Sequence, residues 1–577
     1  MKNRDIAEIL SSLADILEIT DQDPFRVNAY RKIARIVDDL PTDVADLVAS
    51  GEITEIPGIG KGTAEKIAEY LSTGKIAAYE EAKKTIPAGL SELLSIPGLG
   101  PKTIGLVWRQ LGVKSLAGLK RALRGRKILD LPGIGPKKVE NIEAGVRAYE
   151  SRSGRLTLGA VLPTAQEVVR ALREIPGVEQ ADLAGSVRRW RETIGDIDVL
   201  AASGKPAAVI RAFTKLPLAE EVLAAGTTKA SVRVAGALQI DLRVVKPAEY
   251  GAALMYFTGS KDYNIRLRGL AQDKGLKLNE YGLFSGTKVV ASRTEKAVHA
   301  KLGLPLVPPE LREDRGEVEA ALAGSLPELV ELSQVRGDLH VHSNWSDGGS
   351  TIPEVARAAK ARGYAYVAIT DHTKSLGIAH GLSIERILKQ IEEIASLNRR
   401  LKGITVLSGT EVDILSDGRV DFPDEVLERL DIVIASVHSG FQQPRDRITG
   451  RIVSAIENPH VDVIGHPTGR LIGTRPEYDV DIERVMDAAA RTGTALEVNC
   501  YHERLDLNDM NCRRAVDLGI PLALGTDSHH VDQLWMMELG VATARRGWVR
   551  AGSVLNTLPK GALLKRLGRL HRANPSS

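Results

Sequence analysis

At 577 residues the chain is too long for one hydrophobic core, and domains of about 100–200 residues lead to an expectation of three to five. An apolar share of 43% and a charged share of 26% exclude a disordered or fibrous chain, and no apolar run approaches the roughly 18–20 residues of a membrane span. The net charge of +3 averages over local bias, with residues 1–100 at −6 and residues 101–150 at +7, the latter a candidate polyanion surface or a plain solvated lysine face.

The start, Met1-Lys2-Asn3-Arg4-Asp5-Ile6-Ala7-Glu8, carries charge where a signal peptide needs an apolar core. Two cysteines, Cys500 and Cys512, exclude a disulfide scaffold and a cysteine-built zinc ribbon. A soluble, cytoplasmic multidomain protein is expected. Of the 12 histidines none precedes His299, so composition divides the chain into a histidine-free and a histidine-rich half.

A repeat comes first. Ile56-Pro57-Gly58-Ile59-Gly60, Ile96-Pro97-Gly98-Leu99-Gly100 and Leu131-Pro132-Gly133-Ile134-Gly135 each follow an apolar helical stretch and precede a helix start with lysine (Lys61, Lys102, Lys137). The glycines permit a turn with positive φ and leave backbone N–H groups bare at a helix N-terminus, where a phosphate is held without any base being read. A tight helix–helix turn used only for packing is the alternative. The three copies resemble helix-hairpin-helix motifs of DNA repair and replication proteins, which makes Gly58, Gly60, Gly98, Gly100, Gly133 and Gly135 expected DNA contacts.

Next, Asp196-Ile197-Asp198-Val199-Leu200 has the period of a strand that presents both carboxylates on one face, and Leu238-Gln239-Ile240-Asp241-Leu242 adds a third. Three convergent carboxylates suit two hard divalent cations that clamp the oxygens of a phosphoryl transfer. Gly185-Ser186 stands where a strand would turn into a helix, and Arg188 and Arg189 add charge suited to a triphosphate. A solvated strand edge with chance aspartates is the alternative.

The ordered set Gly185-Ser186, Asp196, Asp198 and Asp241 resembles the nucleotidyltransferase palm of family X DNA polymerases. Tyr256-Phe257-Thr258-Gly259-Ser260, Asn264, Arg268 and Leu278-Asn279-Glu280-Tyr281 match that family's nucleotide-binding and thumb signatures, and Asn28-Ala29-Tyr30-Arg31-Lys32 its small gap-binding domain. The resemblance, over about residues 5–315, implies that Asp196 and Asp198 bind two magnesium or manganese ions and that Asp241 lowers the pKa of the primer hydroxyl. It implies that Gly185, Ser186 and Arg189 hold the triphosphate, that Tyr256, Phe257, Gly259 and Asn264 border sugar and base, and that Arg268 contacts DNA. Lys261 departs from the eukaryotic repair enzyme, which has an aspartate over the base. Lys66 corresponds to that enzyme's Schiff-base lysine and is a candidate 5′-deoxyribose phosphate lyase nucleophile, although a plain phosphate contact explains it equally well.

Residues 304–336 read as a linker, since Leu304-Pro305-Leu306-Val307-Pro308-Pro309 favours an extended, semi-rigid segment. Beyond it, short apolar strands alternate with helical segments, and each delivers a metal-capable side chain just past its C-terminal end, where active sites of (βα) barrels lie. The set is His340, His342, Asp347, His372, Glu411, His438, His466, Asp527 and His529, enough for two or three ions bridged by a carboxylate; Glu411 is its one glutamate. Satisfied core histidines are the alternative. His380, His460, His502, His530 and His571 lack this placement, and Arg470 is a candidate substrate-phosphate contact.

The pattern resembles the PHP (polymerase and histidinol phosphatase) family with all nine ligand positions filled, which implies manganese or zinc. The joined order resembles bacterial and archaeal family X polymerases. It implies a gap-filling DNA polymerase of base excision repair that binds gapped or primer-template DNA and dNTPs. It also implies a manganese-dependent 3′→5′ exonuclease and a candidate abasic-site endonuclease or 3′-phosphatase. A monomer in the cytoplasm, associated with the nucleoid and not with membrane, is expected. Two other readings are a repair scaffold with a structural PHP domain and a nucleotidyltransferase acting on a non-DNA substrate. The expected architecture is a helical helix-hairpin-helix region, an α+β palm with thumb, and a distorted (βα) barrel. Its domains are a small gap-binding domain at 1–85, a helical DNA-binding domain at 86–150, the palm at 151–247, the thumb at 248–303, the linker at 304–336 and the PHP domain at 337–577.

Overall fold

The computed structural model describes residues 2–38, 40, 44–94, 96, 98–152, 155–234 and 238–568; Pro97 of the second hairpin and His571 lie outside them. The chain forms two compact units, residues 1–153 with the short segments 374–381 and 438–440, and the remainder.

The first unit is helical from Lys2–Ile19 to Pro136–Arg152. One apolar core gathers Leu10, Leu13, Val37, Ile53, Ile59 and Ile67; a second gathers Leu90, Leu99, Ile104, Leu119, Ile134 and Ile142. The helix Lys2–Ile19 serves both, because Ile16 and Ile19 reach the second core. Each hairpin glycine pair divides its work. Gly58, Gly98 and Gly133 have φ of 106°, 81° and 76°, where an L side chain is strained. Gly60, Gly100 and Gly135 stand directly before the helices Lys61–Thr73, Pro101–Leu111 and Pro136–Arg152.

The second unit opens with the helix Leu158–Arg173 against a five-stranded sheet of β1 (Val178–Leu183), β2 (Asp196–Ser203), β3 (Glu221–Ala225), β4 (Lys229–Val234) and β5 (Leu238–Val245), ordered β1-β2-β5-β4-β3. The central pair β2 and β5 is parallel, with Asp198 in register with Asp241. The helices Tyr250–Thr258 and Lys261–Asp273 and a small antiparallel sheet follow.

Residues 304–336 are not a free linker. Leu304, Val307, Leu311, Val318 and Leu329 fill the same core as Tyr263 and Leu267 of the helix Lys261–Asp273 and Val298 of the helix Glu295–Lys301, and Pro309–Leu311 is a 3-10 turn rather than extended chain. The apolar residues between the prolines find buried sites there, and their burial outweighs the local preference of Pro308-Pro309 for extension.

Seven parallel strands then close a barrel: β6 (Gly337–Val341), β7 (Tyr366–Ile369), β8 (Thr405–Asp413), β9 (Ile432–Ser436), β10 (Val463–Ile464), β11 (Ala495–Asn499) and β12 (Leu522–Gly525), in chain order. Closure between first and last comes from Val341 bridging Ser528, with Asp527 N–H donating to the His340 carbonyl (2.9 Å) and His342 N–H to the Ser528 carbonyl (2.9 Å). The strands are buried on both faces almost throughout, and their apolar residues are interrupted by polar ones such as His340, Glu411 and Glu497 that belong to the site at their C-terminal ends. One apolar cluster runs from Leu158 and Val161 of the sheet domain to Leu539 and Val541 of the barrel, so the two pack together instead of standing apart.

Candidate active sites

The first site is built on β2 and β5. Alternation puts Asp196 and Asp198 on one face, and the parallel register sets Asp241 beside Asp198. Burial, then the charges of Asp196 and Asp241, raises the Asp198 carboxyl to about 6. Asp241 is oriented from both sides, by the Ser231 hydroxyl on Oδ1 and the Gln239 amide on Oδ2 (3.1 Å). Gly185 has φ +57°, and a Cβ there would lie 2.0 Å from Asp198 Oδ2, so the absent side chain makes the space that the carboxylate fills. This all-oxygen donor set, three carboxylates crowded on one sheet face, fits magnesium or manganese.

The short helix Gly185–Arg188 carries Ser186 beside this face. Its two arginines are already engaged. Arg188 forms a two-pronged ion pair with Glu295 (2.8 and 2.7 Å) and donates to the Thr258 hydroxyl (2.6 Å). Arg189 donates from Nη1 to the Thr258 carbonyl (2.5 Å) and from Nε to Glu313 (3.1 Å). Tyr256 and Phe257 meet edge to face at 5.2 Å between centroids, with Arg243 over Phe257 at 4.5 Å. The Asn264 amide donates to the Tyr256 carbonyl (2.7 Å), Gly259 turns the chain at φ +72°, and Arg268 is exposed. In the first unit, Lys66 is half-buried and its ammonium donates to the Gly62 carbonyl (3.0 Å).

The second site sits at the C-terminal ends of the barrel strands. Glu411 is the hub: His466 Nε2 lies 2.9 Å from Oε1, while His372 Nδ1, His340 Nε2 and His342 Nε2 lie 3.0, 3.4 and 3.6 Å from Oε2. Asp527 Oδ1 is 3.1 Å from His342 Nε2, and Asp347 Oδ2 is 3.4 Å from His529 Nε2 and 3.7 Å from His372 Nε2. Potential ligand atoms come within 4.8 Å of one another in three overlapping groups: His342 with Asp347, His372 and His529; His340 with His342 and Asp527; His372 with Glu411 and His438. The overlap at His342 and His372 is the geometry of adjacent ions with shared walls, and the imidazole–carboxylate mixture fits manganese or zinc.

The electrostatics match. Burial opposes charge on His340, yet Glu497, Glu411 and Asp527 hold its pKa well above the ordinary value. Burial likewise opposes charge on His529, which Asp347 and Asp527 raise to about 9. His342 Nδ1 is buried with no hydrogen-bond partner among the described residues. His466 and Asp527 take φ of 26° and 53°, a backbone strain of the kind kept at functional sites.

Two corrections and one omission follow. Arg470 does not face this cluster as an open phosphate contact: it is buried and spends its guanidinium on the Arg504 and Leu505 carbonyls (2.8 and 2.6 Å) and on Glu192 of the sheet domain (2.8 Å). Arg188 is likewise committed to Glu295 and is not a free cation for a triphosphate. The omission is Glu497 of β11, a strand to which sequence reading assigned no ligand. Its Oε1 lies 2.6 Å from His340 Nδ1, and its Oε2 accepts from the His466 N–H (2.6 Å) and the Asn499 amide (3.3 Å). A glutamate between Leu496 and Val498 in a fully buried strand was the available signal.

Residues 1–76 match the helix-hairpin-helix domain family, 90–147 the SAM-like helix-hairpin-helix tandem, 253–313 the DNA polymerase beta thumb and 338–500 the PHP domain. Over 560 residues, 96% of this chain and 97% of the relative, the sequence is 40% identical to the DNA polymerase/3'-5' exonuclease PolX of Bacillus subtilis (strain 168). A probable phosphatase of Thermoanaerobacter sp. (strain X514) is 34% identical over 232 residues, 38% of this chain and 89% of its own. A probable phosphatase of Syntrophotalea carbinolica is 36% identical over 204 residues, 33% and 79% of the two chains. Hairpins, thumb and PHP barrel thus stand in one order along a chain that matches its relative almost end to end, and the chain belongs to the family of the DNA polymerase/3'-5' exonuclease PolX.

Proposed function

We propose that this chain is a template-directed, gap-filling DNA polymerase of base excision repair whose barrel is a manganese-dependent 3′→5′ exonuclease. The observation that carries the first half is the register of Asp198 beside Asp241, with Asp196 on the same face, which crowds three carboxylates that only cations relieve. Asp196 and Asp198 hold the ions, and Asp241, fixed by Ser231 and Gln239, draws the proton from the primer 3′ hydroxyl. Gly185, Ser186 and Arg189 receive the triphosphate of the dNTP. Tyr256, Phe257, Gly259 and Asn264 border its sugar and base. The hairpin glycines and Arg268 hold gapped or primer-template DNA by its phosphates.

In the barrel, His340, His342, Asp347, His372, Glu411, His438, His466, Asp527 and His529 hold two or three ions, with Glu497 orienting His340 from behind. Bound divalent ions supply Lewis-acid stabilisation of the charge that develops on phosphoryl oxygens at both sites. The likeness to probable phosphatases supports adding 3′-phosphate removal to the barrel's work, and abasic-site incision is the same phosphoester chemistry. Lys66 is the candidate lyase nucleophile, for which borohydride trapping on abasic DNA is the direct assay. The reading places a monomer in the cytoplasm at the nucleoid. No helix among the described residues is long and apolar enough to cross a membrane.

Extension across a short gap with magnesium tests the first half. Asp241→Ala should abolish nucleotide addition and leave degradation of a 3′ end with manganese intact. Substantial remaining synthesis would remove the catalytic assignment of β2 and β5.

A further inference from the structure

The barrel sends one side chain to the nucleotide site. Arg546 ends the helix Met537–Arg546, and its side chain is only 4% exposed. From Nη1 it donates to the backbone carbonyl of Arg189 (2.6 Å), to Glu313 Oε1 (3.0 Å) and, more weakly, to the Glu310 carbonyl (3.4 Å). From Nη2 it donates to Asp509 of the barrel (2.8 Å), which also accepts from Arg315 (3.0 Å). Glu313 Oε1 is therefore shared by three guanidiniums, those of Arg546, Arg189 (3.1 Å) and Arg191 (3.8 Å).

That sharing matters for two reasons. Glu313 and Asp509 are two carboxylates facing four guanidiniums, those of Arg189, Arg191, Arg546 and Arg315, so the turn after Gly185–Arg188 keeps excess positive charge near Asp198, where polyphosphate is expected. The bond to the Arg189 carbonyl also fixes the backbone from which that side chain reaches the Thr258 carbonyl. Without Arg546, Glu313 would be left to Arg189 and the more distant Arg191, and the Arg189 carbonyl would lose its donor.

From this geometry we infer that Arg546 of the barrel is a positioning residue for the polymerase, holding Arg189 and its surplus charge ready for the triphosphate. The barrel is thus part of the machinery that selects the incoming nucleotide, beyond being a separate nuclease. The inference rests on the proposed triphosphate role of Arg189.

Steady-state gap filling with magnesium tests it on the full-length chain carrying Arg546→Met, Arg546→Lys or Arg189→Ala. Arg546→Met leaves Asp509 paired with Arg315 and Glu313 paired with Arg189, so no buried acid is orphaned. It should raise the KM for dNTP about tenfold with kcat changed less than threefold. Arg546→Lys keeps the charge but not the planar fork, and should restore only part of the KM. Degradation of a 3′ end with manganese should stay within twofold of wild type in every variant, which reports an intact barrel. If Arg189→Ala raises KM and Arg546→Met does not, this inference fails while the reading of Arg189 stands. If Arg189→Ala leaves KM unchanged, the triphosphate reading itself fails and takes the inference with it. A fall in kcat and nuclease rate together in Arg546→Met and Arg546→Lys alike would mark Arg546 as a packing residue and overturn the proposal.

Discussion

Asp198→Asn should make the metal-free protein more stable while abolishing nucleotide addition. The Asp198 carboxyl is raised from 3.8 to about 6 by burial and by the charges of Asp196 and Asp241. Two pKa units at about 1.4 kcal/mol each place the ionised form about 3 kcal/mol above its unfolded reference, and solvent screening at this half-buried position reduces that to about 1–2 kcal/mol. Because the folded pKa is raised, the penalty grows as pH rises from near 4 to near 6, and is complete above that window. The asparagine variant should therefore melt a few degrees higher than wild type at pH 7.5 in EDTA, and the advantage should vanish at pH 4. Added magnesium should reverse the order, because wild type gains binding free energy that the variant forgoes. Melting curves at two pH values, with EDTA or magnesium, measure all of this beside a gap-filling assay. A variant that melts no higher than wild type in EDTA at pH 7.5, or that still adds nucleotides, would refute the claim that crowded carboxylates build this site.

Gly185→Ala should inactivate polymerisation without touching the nuclease, since its methyl group would stand 2.0 Å from Asp198 Oδ2 at a φ of +57°; full gap filling by this variant would contradict the placement of that carboxylate. In the thumb, His299 is fully buried between the Tyr263 hydroxyl (2.8 Å) and the Glu295 carbonyl (2.8 Å), and burial, followed by the Arg312 charge, lowers its pKa to about 4. A depressed imidazole pKa means stability is lost as pH falls from about 6.5 to about 4, by up to about 3 kcal/mol. The stability difference between wild type and His299→Gln, followed by denaturant melts across that range, should shrink toward low pH, and a constant difference would refute a neutral buried histidine.

The parts legible in the sequence were those whose signal is local. Hairpin glycines declare themselves by repetition, Asp196 and Asp198 by period two, His340 and His342 by the same i, i+2 spacing, and His466 and Asp527 by their place just after apolar runs. What stayed hidden depends on partners remote in the chain. Arg470 reads as a spare cation until Glu192, 278 residues away, is seen beside it. Arg188 and Arg189 read as free until Glu295 and Glu313 close on them from 107 and 124 residues away. The segment 304–336 reads as a proline-rich spacer because nothing local shows that Leu304, Val307 and Leu311 fill a core made elsewhere. Glu497 escaped because it binds the back of His340 and the His466 amide and stands behind the ligand atoms. Its strand ends at Asn499, and the nearest histidine, His502, bonds the Thr157 hydroxyl (2.9 Å) and not the ligand cluster.

The central claim is that one chain holds two metal sites that do separate chemistry, and Glu411→Gln tests it most directly. The change is nearly isosteric but removes the charge that four imidazoles approach within 2.9–3.6 Å. The single measurement is a paired one on this variant: release of 3′ nucleotides with manganese, and gap filling with magnesium, on the same preparation with its metal content determined. The account predicts at least a hundredfold loss of exonuclease, loss of one or more bound transition-metal equivalents, and gap filling within threefold of wild type. Exonuclease at wild-type rate would remove the histidine cluster as its seat, and loss of both activities with metal content unchanged would show that the two sites are not separate.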